Sequence, residues 1–117
     1  MNNKELGDIG ENIAVKFLEN KKYIILDRNF RAQSTEIDII AKDKEELVFV
    51  EVKTRRSHKF GEAYEAVGEF KMKNIINTAR AYIYKHNLYD TQIRFDIIEV
   101  YYNEKRINHI ENAFTLA

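Results

Sequence analysis

Two apolar β-type runs joined by a polar link constrain this chain more than any other feature. The first, Glu36 to Lys42, carries Ile37, Ile39, Ile40 and Ala41. The second, Leu47 to Thr54, alternates Val48, Val50 and Val52 against Phe49. Runs of this length and composition read as strands. Asp43-Lys44-Glu45-Glu46 between them suits a hairpin loop. If those four residues close the hairpin, positions whose numbers sum to 89 stand opposite one another. Asp38 then faces Glu51 and Glu36 faces Lys53, with opposed Cβ atoms about 4.5–5.5 Å apart.

Two facing carboxylates repel and destabilise the pair unless a positive charge lies between them. A hard divalent cation, Mg²⁺ or Mn²⁺, meets that need. Mg²⁺ takes one or two carboxylates, keeps several waters and gains phosphate oxygens from a substrate. Alternate strand residues share a face, so Glu51 and Lys53 point the same way. A lysine there sits beside a metal-bound water and a phosphate, where it can orient the water or stabilise developing charge. The plainer alternative is that Glu-x-Lys is an ordinary solvated strand face. Against it, Glu51 lies between two valines and Asp38 among three isoleucines. Charges embedded in such runs are expensive to bury unpaired.

The rest of the chain builds around this hairpin. Lys4 to Asn20 has Leu6, Ile9, Ile13, Phe17 and Leu18 at helical spacing, with Asn2 or Asn3 as cap. Tyr23 to Asp27 is a short strand. Glu69 to Asn87 is a second helix, with Phe70, Met72, Ile75, Ile76, Ala79, Tyr82 and Ile83 as its apolar positions and His86 at its end. Tyr82 and Tyr84 read as helix packing. Gln92 to Tyr102 is a long strand, within which Arg94 and Asp96 share a face and read as a structural ion pair. Arg106 to Ile110 is a short last strand. The expected fold is α/β: a mixed sheet flanked by helices, in the order α-β-β-β-α-β with the short strand last. Three consecutive strands suggest an antiparallel meander, and the second helix a crossover to a parallel neighbour.

Composition narrows the classes. The 117 residues predict a single domain spanning 1–117. Absence of cysteine excludes a disulfide scaffold, a Cys-ligated zinc site, an iron–sulfur cluster and thiol catalysis. His58, His86 and His109 lack zinc spacing. The longest apolar runs are too short to span a membrane, and no apolar signal segment opens the chain, which predicts a cytoplasmic protein. Net charge is zero, but Lys53 to His86 holds eight Lys/Arg against three Glu. That segregation is able to give one basic face. Arg56, His58, Lys59 and Lys73 are its candidates for phosphate contact from charge alone, each set against an ordinary solvated role.

Asp38 followed by Glu51-Val52-Lys53 resembles the Asp…(Asp/Glu)-x-Lys signature of restriction-endonuclease-like nucleases. More closely, the chain resembles the YraN-like family of small bacterial predicted endonucleases over nearly its whole length. The resemblance rests on Gly7-x-x-Gly10-Glu11, Arg28-Asn29, Glu36 to Ala41, Val48 to Arg55, Phe60-Gly61, Ala66-Val67, Lys71, Arg94-Phe95-Asp96 and Asn112-Ala113-Phe114. It implies a restriction-endonuclease-like core similar to that of archaeal Holliday-junction resolvases. Asp38 and Glu51 would be metal ligands, the Val52 carbonyl a third, Lys53 the catalytic lysine, and Glu11 the helical glutamate that completes the site, through water. Arg55 and Lys71 match positions of the family and on that ground are candidates for phosphate contact. Ile37, Thr35 and Gly68-Glu69 depart from the family pattern and bear on loop geometry and substrate fit.

Two functions follow. One is a nuclease that cleaves phosphodiesters with Mg²⁺ or Mn²⁺, directed by the structure of DNA rather than RNA. The other is a nucleic-acid-binding or assembly module that keeps the fold with little or no activity. Intact Asp38, Glu51 and Lys53 favour the first; zero net charge and small size favour the second. A homodimer would double the surface available to a duplex.

Overall fold

The computed structural model describes residues 1–32, 35–57 and 68–115. Helix α1 (Asn3–Asn20) starts where Asn2 accepts the Glu5 N–H at 2.8 Å, while the Glu5 carboxylate accepts the Asn2 N–H at 3.2 Å. This reciprocal capping satisfies two end donors at once. Strands β1 (Ile24–Ala32), β2 (Thr35–Asp43) and β3 (Glu46–Arg55) follow, then helix α2 (Glu69–His86), β4 (Ile93–Tyr101) and β5 (Arg106–Phe114). The strands form one mixed sheet in the spatial order β1-β2-β3-β4-β5. Only the β3–β4 pair is parallel, with α2 as its crossover. The α/β architecture read from the sequence is the one observed.

The β2–β3 register pairs Asp43 with Glu46 and Ile39 with Val50, as anticipated. The turn is tighter than expected, however: both strands run into the polar link and leave only Lys44 and Glu45 to close it, Lys44 with φ 56°. Because antiparallel pairing is symmetric about the turn, shortening the loop by one residue on each side preserves the register. Strand β5 reaches four residues beyond its expected end. A register shift opposite Asp96, with Asn112 at φ 55°, breaks the alternation that would have marked its length.

Each face of the sheet carries one helix. Against α1 lie Ile39, Ala41, Val48, Val50, Ile98 and Val100; against α2 lie Ile37, Ile40, Leu47, Phe49 and Phe95. The buried line of α1 is Leu6, Gly10, Ala14 and Leu18, not the larger Ile9, Ile13 and Phe17, which are half-buried. Small residues at 10 and 14 let the helix backbone come close to β3. In α2, Tyr82 packs edge-on against Phe30 and Phe49, whereas Phe70 and Tyr84 are exposed, contrary to their reading as packing residues. Among the described residues no helix is long and apolar enough to cross a membrane.

Gly10 offers a sharp test of this helix–sheet contact. A Cβ built there lies 2.0 Å from Thr54 Oγ1 and 2.5 Å from its Cγ2. Thr54 is β-branched and has little rotamer freedom to yield. Gly10→Ala is therefore expected to destabilise the fold by about 1–3 kcal/mol, the usual cost of overpacking. In urea denaturation, adding Thr54→Ala should recover part of the loss. Full stability in the single variant would mean that α1 does not sit against Thr54 as described.

Candidate functional site

The ladder between β2 and β3 stops at the Ile39–Val50 pair. Beyond it the Val52 N–H donates to Asp38 Oδ2 at 2.8 Å. A side-chain carboxylate replaces the main-chain acceptor, so the strands part while the Val52 N–H stays bonded. On β2, Ile39 belongs to the α1 side and Ile37 to the α2 side, although two residues along one strand ordinarily share a face. The change of face falls at Asp38. In neighbouring β1 it is matched by Asn29, whose φ is 54° between the residues paired with Ile39 and Ile37. Asparagine is among the few residues that tolerate that backbone region.

The parting also corrects one expectation. Glu36 pairs with Arg31 of β1, not Lys53. Its Oε2 accepts from Arg31 at 3.2 Å and its Oε1 from Asn29 at 3.4 Å. Past Asp38 the hairpin register no longer governs which side chains meet.

Asp38 and Glu51 do come together. Glu51 is 6% exposed, and its Oε2 is buried without a hydrogen-bond partner among the described residues. The Asp38 carboxyl is pushed up to about 8, first by burial, then by the hydrogen bond and negative charge of Glu51; the Val52 N–H pulls the other way without cancelling them. Burial and Glu51 therefore both favour the protonated form of the Asp38 carboxyl. A half-satisfied buried carboxylate pair is costly to keep. Among the described residues Glu51 forms an ion pair with Lys71 of α2, whose Nζ is 3.9 Å from Glu51 Oε2.

A cleft of about 600 Å³ opens above Asp38. Glu11, Val52, Lys53, Thr54, Arg55 and Arg56 line it together with the start of α1. Lys53 is half-buried and makes no ion pair among the described residues. Glu11 faces the same cleft with both oxygens occupied: Oε1 accepts from Arg28 Nε at 3.2 Å and Nη2 at 3.0 Å, and Oε2 from Asn29 at 3.0 Å. Arg28 and Asn29, which the sequence offered only as pattern residues, are thus the partners that hold Glu11. Asn29 lies past the expected end of the first strand at Asp27, whereas β1 runs on to Ala32; the signal available in advance was only that asparagine suits positive φ.

The basic residues divide. Arg55 is exposed at the cleft. Arg56 is tied to the start of α1 through Asn3 Oδ1 at 3.0 Å and the Met1 carbonyl at 2.7 Å. Lys71 faces Glu51, and Lys73 is exposed on α2. Lys59 and His58 lie outside the described residues. Among the described residues no three His, Cys, Asp or Glu side chains converge as a metal group. The donors at hand are two carboxylates, one with an unsatisfied buried oxygen, beside a main-chain segment at Val52. All are oxygens. That set fits a hard cation that completes its shell with water and phosphate oxygens, and it does not fit a soft metal.

The uncharacterised protein family UPF0102 matches residues 10–100 of the chain. A UPF0102 protein of Clostridioides difficile (strain 630) is 57% identical over 114 residues, covering 97% of this chain and all of the relative. One from Caldanaerobacter subterraneus subsp. tengcongensis is 47% identical over 119 residues, covering 97% of this chain and 98% of the relative. One from Geobacter metallireducens is 44% identical over 119 residues, covering this whole chain and 98% of the relative.

Proposed function

The chain belongs to the UPF0102 family, and from that premise we propose that it is a metal-dependent nuclease that hydrolyses DNA phosphodiesters with Mg²⁺ or Mn²⁺, choosing its substrate by shape. The observation that carries this is the buried meeting of Asp38 and Glu51 beside Lys53, with a Glu51 oxygen that has no hydrogen-bond partner among the described residues. Asp38, Glu51 and the Val52 carbonyl would hold the cation, and Glu11 would reach it through water. When bound, the metal supplies charge stabilisation at the phosphoryl oxygens and an acidified water.

The protein's own groups do the rest. Lys53 projects into the cleft from the same strand as Glu51. There its ammonium holds a non-bridging phosphate oxygen, orients the attacking water and offsets charge as it develops. Arg55 lies on the same wall and would take a neighbouring backbone phosphate. The closed main-chain bonding around Val52 keeps β3 rigid through the ligand-bearing positions, so the carboxylates and the lysine hold their spacing through turnover.

The test is cleavage of branched, single-stranded and duplex DNA by purified protein with Mg²⁺, with Mn²⁺ and with chelator. Cleavage should require the metal. Lys53→Ala should lower the rate by about 10²–10³-fold or more, the scale of losing one preorganised donor to developing charge. Circular dichroism should be unchanged, because alanine keeps the strand backbone and Lys53 is only half-buried. Full-rate cleavage by Lys53→Ala would sink the mechanism. Salt-sensitive binding without cleavage of any substrate would favour the binding-module function instead.

A further inference from the structure

Lys71 stands in the first turn of α2, 40% exposed, and its ammonium approaches a Glu51 carboxylate that is 6% exposed. At 3.9 Å the two are an ion pair but not a hydrogen bond. The Glu51 oxygen it approaches makes no hydrogen bond in the described structure. A lysine stem is flexible enough to move a charge by several ångströms at little cost. This charge is therefore held by attraction alone, from the solvent side, against an oxygen with no hydrogen bond among the described residues. Lys73, two residues on, lies about 200° around the helix and is exposed. The arrangement is specific to Lys71.

Resting on the assignment of Asp38 and Glu51 as a metal pair, we infer that Lys71 is a displaceable countercharge that couples metal loading to phosphate binding. In the metal-free protein it offsets part of the negative charge at Glu51. A divalent cation at the pair does that work better and repels the ammonium, which swings outward into the mouth of the site. A backbone phosphate arriving there finds the ammonium released. Metal and phosphate then favour each other through one side chain, and the coupling is reciprocal. Lys71 is a positioning residue in this role and takes no part in the bond changes.

The experiment measures Mn²⁺ affinity of the full chain by isothermal titration and by thermal shift. Lys71→Met removes the competing charge with a good helix former, and Lys71→Gln does so with a polar end. Arg80→Met is a control on the same helix with the same change in net charge. Both Lys71 variants are expected to bind Mn²⁺ about 5-fold or more tightly than the parent, at the lower edge of usual coupling factors. Arg80→Met should match the parent. In a Lys53→Ala background, which holds back cleavage, a short DNA duplex should tighten Mn²⁺ binding when Lys71 is present and lose that effect in Lys71→Met. Equal or weaker Mn²⁺ binding by both Lys71 variants overturns this inference alone. Parent and variants that all ignore Mn²⁺ overturn the metal assignment beneath it, and this inference with it.

Discussion

Arg94→Met is expected to remove about 3–5 kcal/mol of folding stability, the scale of breaking a buried ion pair from one side. Arg94 is 8% exposed and spends its whole guanidinium on the fold. Its Nε and Nη2 reach Asp96 at 2.9 and 3.0 Å. Its Nη1 reaches Asp43 and Glu46, both at 3.0 Å, and its Nη2 also meets Tyr23 Oη at 2.6 Å and Glu111 at 3.2 Å. These partners come from the residue just before β1, both ends of the β2–β3 turn, β4 and β5, so one side chain ties together four strands and the entry to β1. Methionine leaves Asp96, which is fully buried, with only His109 at 2.7 Å and the Asn112 N–H at 2.9 Å. Burial alone would raise the Asp96 carboxyl, but bonds from His109, Arg94 and Asn112 hold it below its ordinary range. A carboxylate depressed in this way contributes stability above its unfolded pKa, and the contribution fades as pH falls through the folded value. The loss in Arg94→Met should therefore be largest near neutral pH and shrink in acid. Urea midpoints at neutral and acidic pH measure both parts. A loss below about 1 kcal/mol at neutral pH would mean that desolvation had already cancelled the pairing.

The meeting of Asp38 with Glu51 was legible in the sequence because an antiparallel pair is symmetric about its turn. Miscounting the loop by one residue on both sides leaves every partner unchanged, and here the loop was miscounted in that way. The alternation of Val48, Val50 and Val52 announced a strand, and the 3.6-residue spacing announced both helices, since each pattern records one buried face. What escaped the reading depends on contacts distant in the chain or on broken periodicity. Glu36 turns to Arg31 because β2 changes face at Asp38, which no local pattern encodes. Glu11 meets Arg28 and Asn29 only because α1 lies across the sheet. The close line of α1 runs through Gly10 and Ala14, residues that a search for large apolar side chains passes over. The length of β5 was hidden by its bulge near Asn112. Lys71 was legible as a positive charge on a helix, but not as an ion-pair partner of Glu51, which requires knowing where the crossover sets α2 down.

Glu51→Gln should separate a metal site from an ordinary buried acid without any substrate. In the metal-free parent, Asp38 holds a proton up to about pH 8 because of burial and of Glu51. The folded state thus binds more protons than the unfolded state between the ordinary carboxylate range and that value, so stability falls as pH rises across the window. Glutamine removes the contribution of Glu51 and leaves that of burial. The pH slope should therefore become shallower, and stability near pH 8 should hold or rise by at least a few tenths of a kcal/mol, on the scale of like-charge cross-strand pairs. Losing the Lys71 contact offsets little of this, since that pair is long and half-solvated. Metal should act in the opposite sense. A cation at 100 times its dissociation constant stabilises the parent by about 2.7 kcal/mol. For a chain of this length that raises the melting temperature by on the order of 10 °C. Glu51→Gln should lose most of that rise. Because ligands must shed their protons to bind, the rise in the parent should also weaken as pH drops below about 8, while the residual rise in the variant changes less. Differential scanning calorimetry with and without Mn²⁺, at several pH values, reads all of these quantities. A variant that is less stable without metal yet keeps the full Mn²⁺ response would make Glu51 a structural acid and move the metal elsewhere.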